Sequence, residues 1–189
     1  MNKVIIKICC LLIFLVFSSC KEDVYPKPKA YLRLEHNSTQ TFVNTNLDCP
    51  YNFEVSSNAI LSHNKTKCWV SINYPKLNAS IDITYRPVNK NIIEIFMESE
   101  RLTTKHSKRA DEISFIPFVN HKTKVYGKIT DVTGNAASPI QFHLTDSTKH
   151  FLTGALYFNV SPNYDSIYPS IKYLEKDIVH LMETLQWEN

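Results

Sequence analysis

Residues 150–185 read HFLTGALYFNVSPNYDSIYPSIKYLEKDIVHLMETL, and two different apolar periods meet inside this stretch. From Phe151 to Phe158 the chain is apolar on both faces apart from Thr153, which predicts a central strand covered on each side. From Asp165 the period lengthens: Ile167, Ile171, Leu174, Ile178, Leu181 and Leu185 fall on one stripe at helical spacing. Asp165 or Ser166 can cap this helix, and Pro169 suits its first turn. A buried strand leading into a long helix with a single apolar stripe implies a sheet with that helix packed on it.

Working back toward the N-terminus, Lys124 to Asp131 and Ile140 to Asp146 read as further strands. Gly134 with Asn135 makes the turn after the first, and Asp146 to Lys149 the turn after the second. Trp69 to Tyr74 and Ser80 to Tyr85 flank a Pro75-Lys76-Leu77-Asn78 turn, and Ile81, Ile83 and Tyr85 point one way at period two, which predicts a hairpin. After Asn89 the period changes again. Ile92, Ile95, Phe96, Ser99, Leu102 and His106 share a helical face in a stretch rich in Glu, Lys and Arg, predicting a middle helix that covers the sheet. The fold class expected is α+β: a mainly antiparallel sheet with a middle helix and a long C-terminal helix packed on it.

The chain begins with the layout of an export signal. Asn2, Lys3 and Lys7 are followed by an unbroken apolar run from Ile8 to Phe17 and then by Ser18, Ser19 and Cys20. The run is far short of the roughly 20 apolar residues that span a bilayer, and its order is that of a cleaved signal peptide. Phe17-Ser18-Ser19-Cys20 resembles the lipobox of bacterial lipoproteins, so cleavage before Cys20 and acylation of its sulfur and freed amine are expected. Two or more acyl chains, at about 0.8 kcal/mol per buried CH₂, hold a protein durably at a membrane. The expected organisation is a signal peptide over 1–19, a lipidated N-terminus and extended tether over 20–30, and one α+β domain over 31–189. Pro26 and Pro28 in the polar segment Lys21 to Ala30 favour an extended tether. Lys21-Glu22-Asp23 resembles the signal that sends some lipoproteins to the cell surface.

Processing changes two other counts. Loss of Lys3 and Lys7 leaves 19 basic and 18 acidic residues, a net charge of +1, which lacks the excess of a nucleic-acid binder. Cys9 and Cys10 leave with the signal and Cys20 is acylated, so Cys49 and Cys68 remain. In an exported chain two remaining cysteines favour a disulfide. That pairing conflicts with a simple hairpin between Asn52 to Val55 and Trp69 to Tyr74, whose register would set Cys68 far from Cys49, so the hairpin is set aside.

Signatures of catalysis are sparse. With only three glycines, Gly127, Gly134 and Gly154, phosphate-cradling loops are excluded. Asp146, Ser147 and His150 lie within five residues, but between two strands Asp-Ser-Thr-Lys is ordinary turn chemistry rather than a converging triad. His143 and His150 flank the same turn without a third ligand nearby in sequence, so no metal site is assigned. No catalytic residue and no cofactor is therefore expected. Lys105, Lys108 and Arg109 form a basic cluster that could meet an acidic partner or a lipid headgroup. Ten tyrosines together with Trp69 and Trp187 keep a second class open, a ligand- or glycan-binding envelope lipoprotein.

Several of these segments carry a resemblance to a known family. Gly134-Asn135-Ala136-Ala137-Ser138, Leu144-Thr145-Asp146-Ser147, Gly154-Ala155-Leu156-Tyr157-Phe158 and Pro162-Asn163-Tyr164-Asp165-Ser166 look like the C-terminal half of the gliding-motility lipoprotein D (GldD) family. Cys49-Pro50, Tyr74-Pro75-Lys76 and Met182-Glu183-Thr184-Leu185-Gln186-Trp187 fit it as well. What the resemblance implies is a non-enzymatic lipoprotein of the cell envelope, most naturally the outer membrane. It would work with protein partners in the gliding and type IX secretion apparatus, without nucleic acid or a small-molecule cofactor. A mixed sheet closed by a C-terminal helix is also similar to the PsbP/Mog1 group, an analogy of fold alone.

Overall fold

The computed structural model describes residues 41–63, 68–106, 109–160 and 163–188. In chain order its elements are β1 (Phe42–Asn44), β2 (Tyr51–Asn52), β3 (Glu54–Ser56), β4 (Ile60–His63), β5 (Val70–Tyr74), β6 (Ala79–Pro87) and α1 (Ile92–His106). There follow β7 (Ala110–Asn120), β8 (Val125–Gly134), β9 (Ile140–Thr145), β10 (His150–Phe158), α2 (Tyr164–Thr184) and β11 (Gln186–Trp187). The expected strand at Tyr31 to Leu34, the tether and Cys20 lie outside the described residues.

Seven strands form one sheet in the order β4-β5-β6-β10-β9-β8-β7, antiparallel throughout. The fold class is thus the α+β expected, with two helices of which the C-terminal one is long. Hairpin β5–β6 forms as its alternation predicts, with Tyr74 opposite Ala79 and Ile72 opposite Ile81. Its connection is a single 3₁₀ turn, Pro75–Leu77, ended by Asn78 at φ 48°, a left-handed position that Asn tolerates.

One face of the sheet is the core. Val70, Ile72, Ile81, Ile83, Leu144, Leu152 and Leu156 from the strands join Ile171, Leu174, Ile178 and Leu181 of α2 in a single buried cluster. At about 2 kcal/mol per fully buried aliphatic side chain, this packing far outweighs differences in helix propensity. The long helix is therefore held by its stripe. After α2 the chain is tied back: β11 pairs with β2, and the Glu54 backbone N–H donates to Thr184 Oγ1 at 3.0 Å. Cys49 and Cys68 are joined by a disulfide, Cα to Cα 5.5 Å, which fastens the loop before β2 to the start of β5. Tyr51, fully buried beside it, donates its hydroxyl to the Cys68 carbonyl at 2.8 Å.

Four expectations are corrected. Residues 110–120, read as no element, form the long edge strand β7. Pro117 is tolerated there because an edge strand needs only half of its backbone groups paired. Helix α2 starts at Tyr164 after Asn163, two or three residues earlier than expected, so Asp165 and Ser166 lie inside it and Pro169 is an interior proline. The N–H that Pro169 lacks would have met the carbonyl of Asp165, which sits at the exposed end of the helix. Strand β10 is central, but its two faces are unequally covered: Leu152, Gly154 and Leu156 are buried on the core face, whereas Thr153, Ala155 and Tyr157 on the other are only half-buried. Finally, α1 buries Ile95 against Val88 and Phe151, while Phe96 and Leu102 remain largely exposed.

Candidate functional site

The second face of the sheet is polar at its middle, and register explains why. Strand β10 inserts between β6 and β9, so Asp82, Ala155 and Gln141 stand in one row and Thr84, Thr153 and His143 in the next. Side chains alternate across a strand, so while Ile81, Ile83 and Leu156 enter the core these residues all rise on the opposite face. A further row, Arg86, Phe151 and Thr145, lies toward α1. Between the middle rows and the flank of α1 runs an open trough of about 330 Å³. Trp69 stands on one wall, Ser99, Leu102 and Thr103 of α1 on the other, and Tyr157 is among the lining groups.

Helix α1 is fixed over the sheet by both apolar and charged contacts. Ile95 packs with Val88 and Phe151, Phe96 meets the His143 ring edge-on at 5.3 Å, and His143 stacks on Phe151. Lys128 Nζ pairs with Glu100 at 2.8 Å and Arg86 pairs with Glu98. The exposed Glu98 carboxyl is held below its usual range by its hydrogen bond from Arg86. His143 is enclosed. Burial, reinforced by the charge of Lys128 and opposed by Glu100, pulls its pKa down to about 4, so it is neutral at ordinary pH. Burial likewise raises the Tyr157 phenol, helped by the charge of Asp82 nearby. Trp69 donates its indole N–H to the Tyr85 carbonyl at 3.0 Å, which orients the ring at the trough's edge.

Residues 21–187 match the family described as gliding motility lipoprotein GldD. The chain belongs to that family. Among curated proteins nothing matches it. Membership in the GldD family makes it a gliding-motility lipoprotein, held in the cell envelope by a membrane anchor.

In this GldD-family chain the Asp146, Ser147 and His150 grouping is spent on a turn. Asp146 Oδ1 accepts the backbone N–H groups of Thr148, Lys149 and His150 at 2.8–2.9 Å, and Oδ2 accepts the Thr148 hydroxyl at 2.7 Å. Burial pushes this carboxyl up, but those four donors outweigh it and hold the pKa at about 2. Ser147, exposed at φ 70°, is the tip of the turn. His150 shares a hydrogen bond with the Tyr85 hydroxyl at 2.9 Å and stacks on Trp187 at 5.1 Å, so it faces the closing strand rather than Ser147. His143 and His150 lie in different environments, and among the described residues no group of three or more His, Cys, Asp or Glu side chains could hold a metal. Of the basic cluster, Lys105 and Arg109 are exposed near the end of α1 and the start of β7, while Lys108 lies outside the described residues.

Sequence reasoning reached Trp69 but missed Asp82, Thr84, Gln141 and Thr153. Their one signal was polar residues at alternate positions of otherwise apolar strands, which reads equally well as a solvated sheet face.

Proposed function

We propose that this chain is a non-enzymatic scaffold or assembly factor of the gliding and type IX secretion apparatus, held at the outer membrane by acyl chains on Cys20. The observation that carries this reading is an exposed apolar surface on the α1 side of the sheet. On β7, Ile113, Phe115 and Val119 face the same side as α1, whose Ile93 and Met97 are also exposed; Phe115 is 67% and Ile93 75% accessible. The Lys128 ammonium over the Phe115 ring, paired in turn with Glu100, bridges strand and helix into one surface. Apolar area gathered in this way is characteristic of protein-binding surfaces, and solitary exposed residues are not. Among the described residues β7 is an edge strand, whose outer backbone groups a partner strand can bond.

The lipid anchor supports the same reading, because it confines the domain to the membrane where such an apparatus is assembled. Deleting the gene should abolish surface spreading, and wild-type chain should restore it. A Cys20→Ala chain, exported but unacylated, should not. Full restoration by that unanchored form would contradict action at the membrane. Restoration by a Phe115→Asp, Ile113→Asp chain that is anchored and folded would contradict docking through β7.

A further inference from the structure

The trough beside α1 carries chemistry that anchoring and docking leave unused. Its floor offers the Asp82 carboxylate and the hydroxyls of Thr84 and Thr153, and Gln141 closes the bottom. Gln141 is only 7% exposed, and its Nε2 has no hydrogen-bond partner among the described residues. An unpaired buried amide donor keeps its desolvation cost uncompensated, and an acceptor on a bound molecule would offset it. Trp69 has already committed its N–H to the Tyr85 carbonyl, so what it presents is ring surface.

These groups select among ligand classes. Among the described residues no Lys, Arg or His lines the trough, so a phosphate, sulfate or carboxylate would meet the Asp82 charge with none of them to offset it. A wholly apolar ligand would strand the polar floor. The complement is a neutral ring with one apolar face and hydroxyls around its rim. A volume of about 330 Å³ is at the small end of ligand sites and suits a mono- or disaccharide. We propose that the trough binds a neutral hexose or N-acetylhexosamine unit of an envelope glycan, set against Trp69, with its hydroxyls held by Asp82 and Gln141. The site goes beyond the docking role and does not depend on it.

The chain has two tryptophans, so Trp187→Phe leaves Trp69 as the sole tryptophan, whose emission is read by exciting on the long-wavelength side of tyrosine absorption. The mature lipidated chain carrying that substitution, in a detergent without a sugar headgroup, is titrated with N-acetylglucosamine oligomers and separately with galactose and mannose oligomers. The first series represents a peptidoglycan-type source and the others a surface-polysaccharide source. A saturable change in Trp69 emission with at least one series is expected. Asp82→Asn and Gln141→Leu should each weaken it about tenfold or more, whereas Lys172→Ala on the other side of the sheet should not. Thr84→Val replaces either floor variant if its thermal melt shows that it has not folded. The proposal is overturned if no series changes the emission and saturation-transfer NMR shows no contact. Binding that survives all the floor substitutions, or that is given only by choline or inorganic phosphate, overturns it too.

Discussion

Tyr74 of β5 donates its hydroxyl to Asp177 Oδ2 of α2 at 2.8 Å, inside the core interface where Asp177 is only 4% exposed. A buried carboxylate that loses such a donor keeps its desolvation cost without the compensation. Tyr74→Phe should therefore destabilise the fold by about 2 kcal/mol, read from chemical denaturation, although the side chain loses only one oxygen. Burial first, and then the charge of Asp177, raises the Tyr74 pKa far above its ordinary 10.0. The folded state thus retains a proton that the unfolded chain releases, so this stability is intact below pH 10 and declines as pH rises beyond it. Tyr74→Phe should flatten that alkaline decline, and an unchanged slope would show that the pair does not govern it.

Disulfide Cys49–Cys68 spans a sequence separation of 19. In the chain-entropy account a loop of that size stabilises by about 3 kcal/mol. A Cys49→Ser, Cys68→Ser chain should show a lower denaturation midpoint by an amount of that order. Reducing agent should then lower the wild-type midpoint and leave the variant's unchanged.

How legible each part was depended on how local its signal is. Ile81, Ile83 and Tyr85 alternate within one strand, and Ile171, Leu174, Ile178 and Leu181 recur within one helix, so burial wrote its period directly into consecutive residues. Strand β7 has no such period because at the sheet's edge most of both faces meets solvent, leaving Phe115 and Ile116 adjacent and both exposed while Phe118 alone of its large side chains packs against the core. The pairing of Tyr51 with Trp187 joins two-residue strands from opposite ends of the chain, too short to carry a pattern. The trough was hidden for a related reason. Asp82 and Gln141 become neighbours only because β10 enters between their strands, a choice of strand order that no local run of residues records.

Asp146 contributes on the acid side. Its pKa of about 2 lies below the ordinary 3.8, so its stabilisation is present above pH 3.8 and is lost as pH falls through about 2. The group is partly exposed, so solvent screening reduces the contribution to about 1 kcal/mol. Asp146→Ala should lower the midpoint at pH 7 and shrink the difference between pH 5 and pH 2. Ser147→Ala should leave both stability and spreading unchanged. Loss of spreading in Ser147→Ala chains that remain folded would revive the catalytic reading of this turn.

His143 acts in a higher window. Folding lowers its pKa from 6.5 to about 4, with burial the first cause and the Lys128 charge the second. The unfolded chain therefore takes up a proton that the folded one refuses, and stability falls as pH drops from 6.5 toward 4. At pH 5 the cost reaches about 2 kcal/mol. His143→Gln, which cannot titrate, should remove most of the difference in midpoint between pH 7.5 and pH 5. The same difference in both chains would assign the acid sensitivity to other groups.

Gly154 of β10 sits under the Phe142 ring of β9, and a Cβ built on it would meet ring atoms at 2.1–2.7 Å. Here glycine is required by proximity to a side chain, not by an unusual backbone angle. Phe142 is itself buried in the core cluster that includes residues of α2, so moving the ring aside disturbs that packing. Gly154→Ala should cost about 2–3 kcal/mol, within the range of overpacked cores. Phe142→Leu alone should cost a similar amount by opening a void. If the ring is the obstacle, the added methyl partly fills that void, and the double variant should be less destabilised than the two single costs combined. A double-mutant cycle measures this directly. Strict additivity would mean that the methyl is rejected by the backbone of β10 and not by the ring above it.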